Sequence, residues 1–267
     1  MSANPGEVIS ESILLREDED AITTLTLNST KQFNVLSMAL LTELQQALDD
    51  IAEDDSIRVV IIAANGKAFC PGHDLKEIRS SEDKAFHQAL FNQCSKMMLT
   101  INAMPQPVIA QVSGVAAAAG CQLVANCDLA VASKEASFAV CGINLGLFCS
   151  TPAVPLSRNL HRKQAMQMLL TGDFISAQKA QAYGLINEVV EAADLKQATR
   201  DLARKIAARP SYAIKLGKEM FYRQLAMDLP EAYAFADEKM ACNMDHEDTR
   251  EGIDAFIEKR QPEWKGR

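Results

Sequence analysis

Two short glycine-bearing loops hold the residues best suited to chemistry: Pro71-Gly72-His73-Asp74 and Ala118-Ala119-Gly120. Each lies downstream of an apolar run that reads as a buried strand, residues 57–63 for the first and 107–110 for the second. Neither loop carries bulk at its glycine, so a ligand can lie directly against the main chain. Two N–H groups aimed from such loops at one carbonyl oxygen make an oxyanion hole, where each donor is worth about 3 kcal/mol. The second loop runs into a helix through Cys121, Leu123 and Val124. That helix start adds unpaired N–H groups and the positive end of the dipole. The same small residues also suit plain close packing of a helix on a sheet.

The elements that must carry these loops follow from periodicity and punctuation. Ile22–Leu27 is rich in β-branched residues and reads as a strand. A turn at residues 28–31 leads to Ser37, an N-cap for a helix with Leu41, Leu44, Leu48 and Ile51 at helical spacing. Residues 65–74 read as a loop, with Asp74 capping a short turn that contains Leu75 and Ile78. A helix over 85–104 carries Phe86, Leu90, Met97 and Ile101 and is ended by Pro105 and Pro107. Strands follow at 128–133 and 137–140, then a loop at 142–147, with Thr151-Pro152 as the N-cap and first position of the next helix. Gly172 and Gly184 each end a helix, Ser176 starts the second of these, and 185–190 reads as a last strand. Beyond Ala192 the pattern is helical over 192–208, 211–226, 230–244 and 248–259. The expected class is α/β, with a core over residues 1–191 and a C-terminal helical region over 192–267.

Composition narrows the partners. With 267 residues, 48% hydrophobic and 23% charged, the chain can bury a sizeable core. A net charge of −8 argues against nucleic acid as a partner. No apolar run reaches membrane-spanning length, so no membrane partner is expected. Seven cysteines with no C-x-x-C pair fit reduced thiols, and MSANPGEVISES lacks the Arg-rich amphipathic character of a transit peptide. These readings predict a cytoplasmic protein. No metal site is expected.

Taken together, the motifs resemble a known family. Ala68-Phe69-Cys70-Pro71-Gly72-His73-Asp74-Leu75 is similar to the A-F-x-x-G-x-D-[LI] segment of the crotonase (enoyl-CoA hydratase/isomerase) superfamily. Residues 107–128 are similar to its P-V-I-A-x-V-x-G-x-A-x-G-G-G-C-E-L-x-x-x-C-D signature, and further landmarks follow in order to Arg260. The resemblance implies a crotonase-type spiral of ββα units with C-terminal helices that build homotrimers or dimers of trimers. It implies acyl-CoA thioester substrates, with coenzyme A part of the substrate and no covalently held cofactor. It makes the main-chain N–H groups of His73 and Ala119 the oxyanion donors. Lys31, Gln32 and Phe33 fall where the family lines the pantetheine and adenine region, and Phe256 and Lys259 where a neighbouring subunit's last helix reaches the CoA. Gly72, Asp74, Leu75 and Gly120 belong to the same expected CoA-contacting set.

The chain departs from the family at the acids. A crotonase hydratase adds water with two glutamates, and the matching positions here are Gln122 and Gly142. Glutamine takes no proton from water at neutral pH and glycine has no side chain. The resemblance is therefore to an atypical branch, the enoyl-CoA hydratase domain-containing proteins. Nominal enoyl-CoA hydratase, other acyl-CoA chemistry (isomerase, thioesterase or decarboxylase) and silent acyl-CoA binding all stay open. His73 is a candidate titratable group or a packed one. Cys141 and Cys149 flank the empty acid position as nucleophiles or as small apolar side chains. Met97 and Met98 line an acyl tunnel or belong to the core. No G-x-S-x-G elbow points to a serine hydrolase.

Overall fold

The computed structural model describes residues 12–266, so the opening residues of the transit-peptide argument lie, but for Ser12, outside the described residues. In chain order the elements are β1 (Leu14–Glu19), β2 (Ile22–Leu27), α1 (Met38–Ala52), β3 (Val59–Ala64), β4 (Ala68–Cys70), α2 (Leu75–Arg79), α3 (Lys84–Ala103), β5 (Val108–Val112), β6 (Val115–Ala117) and α4 (Ala119–Asn126). They continue as β7 (Leu129–Ser133), β8 (Ser137–Ala139), α5 (Ser150–Asn159), α6 (Arg162–Thr171), β9 (Ile175–Ser176), α7 (Ala177–Tyr183) and β10 (Glu188–Val190). Four helices close the chain: α8 (Leu195–Ala207), α9 (Ser211–Gln224), α10 (Leu229–Met244) and α11 (Glu247–Glu258).

The strands form two sheets, ordered β1-β2-β3-β5-β7-β10 and β4-β6-β8-β9. Three successive turns of the chain lay one strand in each sheet: β3 then β4, β5 then β6, β7 then β8. Helices follow each pair, so the chain advances as a spiral of ββα units. In the larger sheet β1 pairs antiparallel with β2 and the other neighbours pair in parallel, as in Ile61↔Ile109 and Ile109↔Leu129. The larger sheet is sealed on both faces, which is why its central strands are apolar without alternation. On one side Leu44, Leu48, Met97, Ile101 and Leu123 pack against Leu25, Val60 and Val108. On the other, Leu195 and Ala203 of α8 cover Ile22, Val59, Ile61 and Val131.

Helix boundaries follow the punctuation. The Ser37 hydroxyl accepts from the Leu40 N–H at 3.3 Å, and α1 buries Leu41, Leu44, Leu48 and Ile51. Gly172 and Gly184 end α6 and α7 in the left-handed conformation at φ 68° and 84°. Two expectations are corrected. The stretch at 65–74 contains β4, and the small-residue stretch after β5 contains β6. Helix α5 begins at Ser150 with Cys149 as its N-cap, so Thr151-Pro152 lies inside its first turn. The reason is proline: Pro152 has no N–H to lose anywhere in the first turn, so the dipeptide does not fix which residue caps.

Candidate active site

The two glycine-bearing loops meet. Strands β4 and β6 are parallel neighbours, with Ala68 opposite Val115 and Cys70 opposite Ala116. Gly72 has φ +110°, and a Cβ built there would stand 2.9 Å from the Ala118 Cβ and 3.3 Å from the Ala119 nitrogen. A Cβ on Gly120 would stand 1.9 Å from the Cys70 carbonyl oxygen. The first turn of α4 therefore lies on the main chain of the other loop, an approach only glycine permits. Ala118 is held at φ 47°, ψ −118°. A conformation of that kind costs roughly 1–3 kcal/mol and persists where its surroundings over-determine it. Here the Ala118 N–H is pinned to the Ala139 carbonyl at 2.9 Å. Among the described residues no main-chain acceptor takes the N–H of Ala119, the first residue of α4, or that of His73.

Two buried side-chain acceptors beside these amides have no protein donor. The His73 Nδ1 lies 3.1 Å from the Leu36 carbonyl oxygen. Only a protonated nitrogen can bond there, which assigns the bare lone pair to Nε2. That Nε2 is buried and unpartnered. The ring meets Phe91 edge-on at 5.4 Å. Gln122, one turn along α4 from Ala119, is 3% exposed, and its Oε1 has no partner.

Burial lowers the His73 pKa below the ordinary 6.5, against the opposing pull of the Leu36 carbonyl and the Glu77 charge. The folded state thus disfavours the imidazolium relative to the unfolded chain. The stability this contributes is complete above about pH 6.5 and is lost as pH falls toward the folded value. The wild-type protein is expected to lose more thermal stability between about pH 7.5 and about pH 5.5 than a His73→Asn variant. Melting curves of the two proteins across that range check it, and equal losses would refute it.

At Gly142 the structure corrects a simple picture of an empty acid position. The residue is buried, and a Cβ built on it would stand 2.7 Å from the Cys149 Sγ and 2.8 Å from the Leu147 carbonyl oxygen. The Gly142 N–H donates to that sulfur at 3.2 Å. The space is filled by a thiol and by main chain. The N-cap place of Cys149, visible only once α5 is drawn, is the feature that reading the sequence missed.

The remaining candidates divide by location. Lys31 and Gln32 sit on an exposed 3-10 turn, and Phe33 is exposed beside them in the left-handed conformation. The segment they begin runs to Leu36, whose N–H donates to the Gly72 carbonyl at 2.8 Å, so they stand at the edge of the loop site. The Asp74 carboxylate caps α2, accepting from the Lys76 and Glu77 N–H groups at 2.8 and 3.3 Å. Leu75 is an exposed apolar residue on α2. Phe256 is 86% exposed and Lys259 is the C-cap of α11. Phe256 borders an apolar cleft with Pro210, Ala213, Ile253 and Trp264. Met97 and Met98 are core residues. Cys141 is half-buried.

Comparison with known proteins identifies the family and the fold. The Enoyl-CoA hydratase/isomerase family profile matches residues 17–267. The chain belongs to that family, and its architecture is the crotonase α/β spiral. It is 47% identical over 245 residues to human enoyl-CoA hydratase domain-containing protein 3, mitochondrial, covering 92% of this chain and 81% of that protein. The crystal structure of an enoyl-CoA hydratase from Mycobacterium smegmatis superposes with TM-score 0.94 at 51% identity, covering 95% of this chain and 99% of the other. That of human enoyl Coenzyme A hydratase domain-containing protein 3 superposes with TM-score 0.92 at 45% identity, covering 95% and 100%. The mitochondrial designation of the human, rat and mouse relatives overturns the expectation of a cytoplasmic protein. Free thiols indicate a reducing compartment without naming it, so the cysteine argument had no power to choose one.

Proposed function

We propose that this chain binds an acyl-CoA thioester and stabilises negative charge on its carbonyl oxygen with the main-chain amides of His73 and Ala119. The observation that carries this reading is the contact of the two loops, with a Cβ on Gly72 reaching within 3.3 Å of the Ala119 nitrogen. Lys31, Gln32 and Phe33 hold the coenzyme A portion, with Gly72, Leu75 and Gly120 along the acyl end. Phe256 and Lys259 complete the site from the next subunit of a homotrimer, alone or paired into a hexamer. Exposed apolar residues on α10 and α11, among them Leu229, Tyr233, Met240 and Ile257, supply surface for such an assembly.

The reaction is enolate chemistry other than efficient hydration. With Gln122 and Gly142 at the positions of the hydratase acids, an acid–base contribution on the order of 10²- to 10⁴-fold for each is missing. Incubation with crotonyl-CoA and a panel of saturated acyl-CoAs tests this, following the enoyl chromophore, release of free CoA and binding by calorimetry. Binding with weak hydration is expected. Rapid hydration would restore the hydratase reading, binding without any turnover would make the protein an acyl-CoA carrier, and absence of binding would overturn the proposal.

A substitution pair sharpens it. Gln122→Glu is expected to raise crotonyl-CoA hydration by on the order of 10²-fold, since one acid returns on an existing side-chain path. Gly142→Glu is expected to add nothing and to cost about 1–3 kcal/mol, because its Cβ meets the Leu147 main chain. Initial rates and melting temperatures of both variants check this. A hydratase gain from Gly142→Glu would mean that the loop opens.

A further inference from the structure

We propose that the Cys149 thiol exchanges a proton with the α-carbon of the bound acyl thioester, supplying the acid–base group that position 142 lacks. The proposal rests on the acyl-CoA reading above. Its geometric basis is that the Cys149 Sγ stands 2.7 Å from the point where a side chain at 142 would begin. The sulfur is held there by the Gly142 N–H at 3.2 Å, and its residue is the N-cap of the ten-residue helix α5. The corner is shared with the oxyanion donors. Ala118, the residue before Ala119, donates its N–H at 2.9 Å to Ala139, at the end of the strand that runs on to Gly142.

A second observation, independent of the sulfur, points to an occupant. Gln122 is 3% exposed and its Oε1 accepts from nothing. The His73 Nε2 is likewise buried and bare. A buried acceptor without a donor costs about 1–3 kcal/mol, so it is tolerated where a ligand or its water supplies the missing N–H or O–H.

Burial raises the Cys149 pKa, and the Gly142 N–H only partly opposes this, so the group is a thiol at neutral pH. Facing an enolate held by the two amides, the S–H is a proton donor. The carbon–carbon π pair forms the new Cα–H bond, the oxyanion closes back to the carbonyl, and the S–H bond breaks. The thiolate left behind keeps the Gly142 N–H and the N-terminus of α5, which favour an anion. In reverse the thiol first passes its proton to solvent; the thiolate then takes the α-proton, the Cα–H pair becomes the carbon–carbon π bond and the carbonyl π pair moves to the thioester oxygen, and the new S–H exchanges with solvent. Cycling both ways in D2O replaces α-hydrogen by deuterium with no net reaction.

The test uses the full chain with butanoyl-CoA in D2O. Deuterium at the α-carbon is followed by mass spectrometry, and binding by calorimetry. Wild-type protein is expected to exchange faster than the free thioester, and Cys149→Ser to lose on the order of 10²- to 10⁴-fold of that rate while still binding butanoyl-CoA. A measurement on unmodified protein guards against a misfolded variant. Bromoacetyl-CoA, whose bromide leaves as the S–C bond forms and the thiol proton passes to solvent, is expected to alkylate Cys149, and butanoyl-CoA to protect it. Undiminished exchange in Cys149→Ser, binding without exchange in wild type, or labelling of Cys141 or Cys242 with Cys149 untouched would overturn the proposal. Failure to bind butanoyl-CoA at all is a different result and overturns the acyl-CoA reading beneath it.

Discussion

A Gly120→Ala variant is expected to lose on the order of 10²- to 10³-fold of any acyl-thioester turnover and to melt on the order of 5 °C lower. The added methyl would stand 1.9 Å from the Cys70 carbonyl oxygen and 2.7 Å from its carbonyl carbon. Both are main-chain atoms, so no rotamer change can make room. The strand that bears them cannot withdraw either, since Phe69 is fully buried and β4 is bonded to β6. The remaining escape is to lift the first turn of α4, which carries the Ala119 amide away from that of His73. Gly146→Ala is the control. That residue is left-handed, at φ +78°, where Gly120 is helical, and a Cβ there meets nothing within 4 Å. It should cost about 1 kcal/mol of backbone strain and leave turnover alone. Melting curves and turnover on the same preparations separate the two, and a Gly120→Ala protein with wild-type turnover would show that the amides need not converge.

Much of this contact was legible in residue types and very little of it in secondary-structure pattern. The glycines at 72 and 120 and the alanines between 115 and 119 mark a place where main chain meets main chain, and Asp74 and Ser37 cap the helices they were expected to cap. Strands β4 and β6 escaped because each spans three residues, too short for alternation to declare itself. The second sheet is built largely from such pieces, so the spiral was accessible only through resemblance to a family. The emptiness inferred at position 142 was misleading for a related reason. Sequence gives the absence of a side chain, whereas the sulfur that fills the space arrives from the N-terminus of α5, seven residues on. Bare acceptors such as the Gln122 Oε1 are invisible without coordinates, because satisfaction depends on partners distant in sequence.

The C-terminal region is tied to the core by a buried charge, and removing it is expected to have the largest effect on stability. Lys218 of α9 sends its Nζ to the Ile101 and Gln106 carbonyls, each at 2.8 Å, and to the Asp128 Oδ2 at 2.7 Å. Asp128 also accepts from the Val108 N–H at 2.7 Å and from the Tyr222 hydroxyl at 2.8 Å, so it holds the entrance to β5. Burial lowers the Lys218 pKa even with Asp128 beside it, and burial together with the Asp128 charge raises that of Tyr222. A buried pair of this kind contributes little net stability by its presence, because taking two charges out of water offsets their attraction. Its removal by halves is another matter. Lys218→Met leaves a buried carboxylate without its cation and two carbonyls without a donor, at a cost of about 3–5 kcal/mol, on the order of 10 °C in melting temperature. Tyr222→Phe leaves the ion pair intact and should cost about 1–3 kcal/mol. The order of the two, measured by denaturant unfolding, is the decisive quantity: if Tyr222→Phe is the more damaging, the ammonium is not what holds α9 against the end of α3.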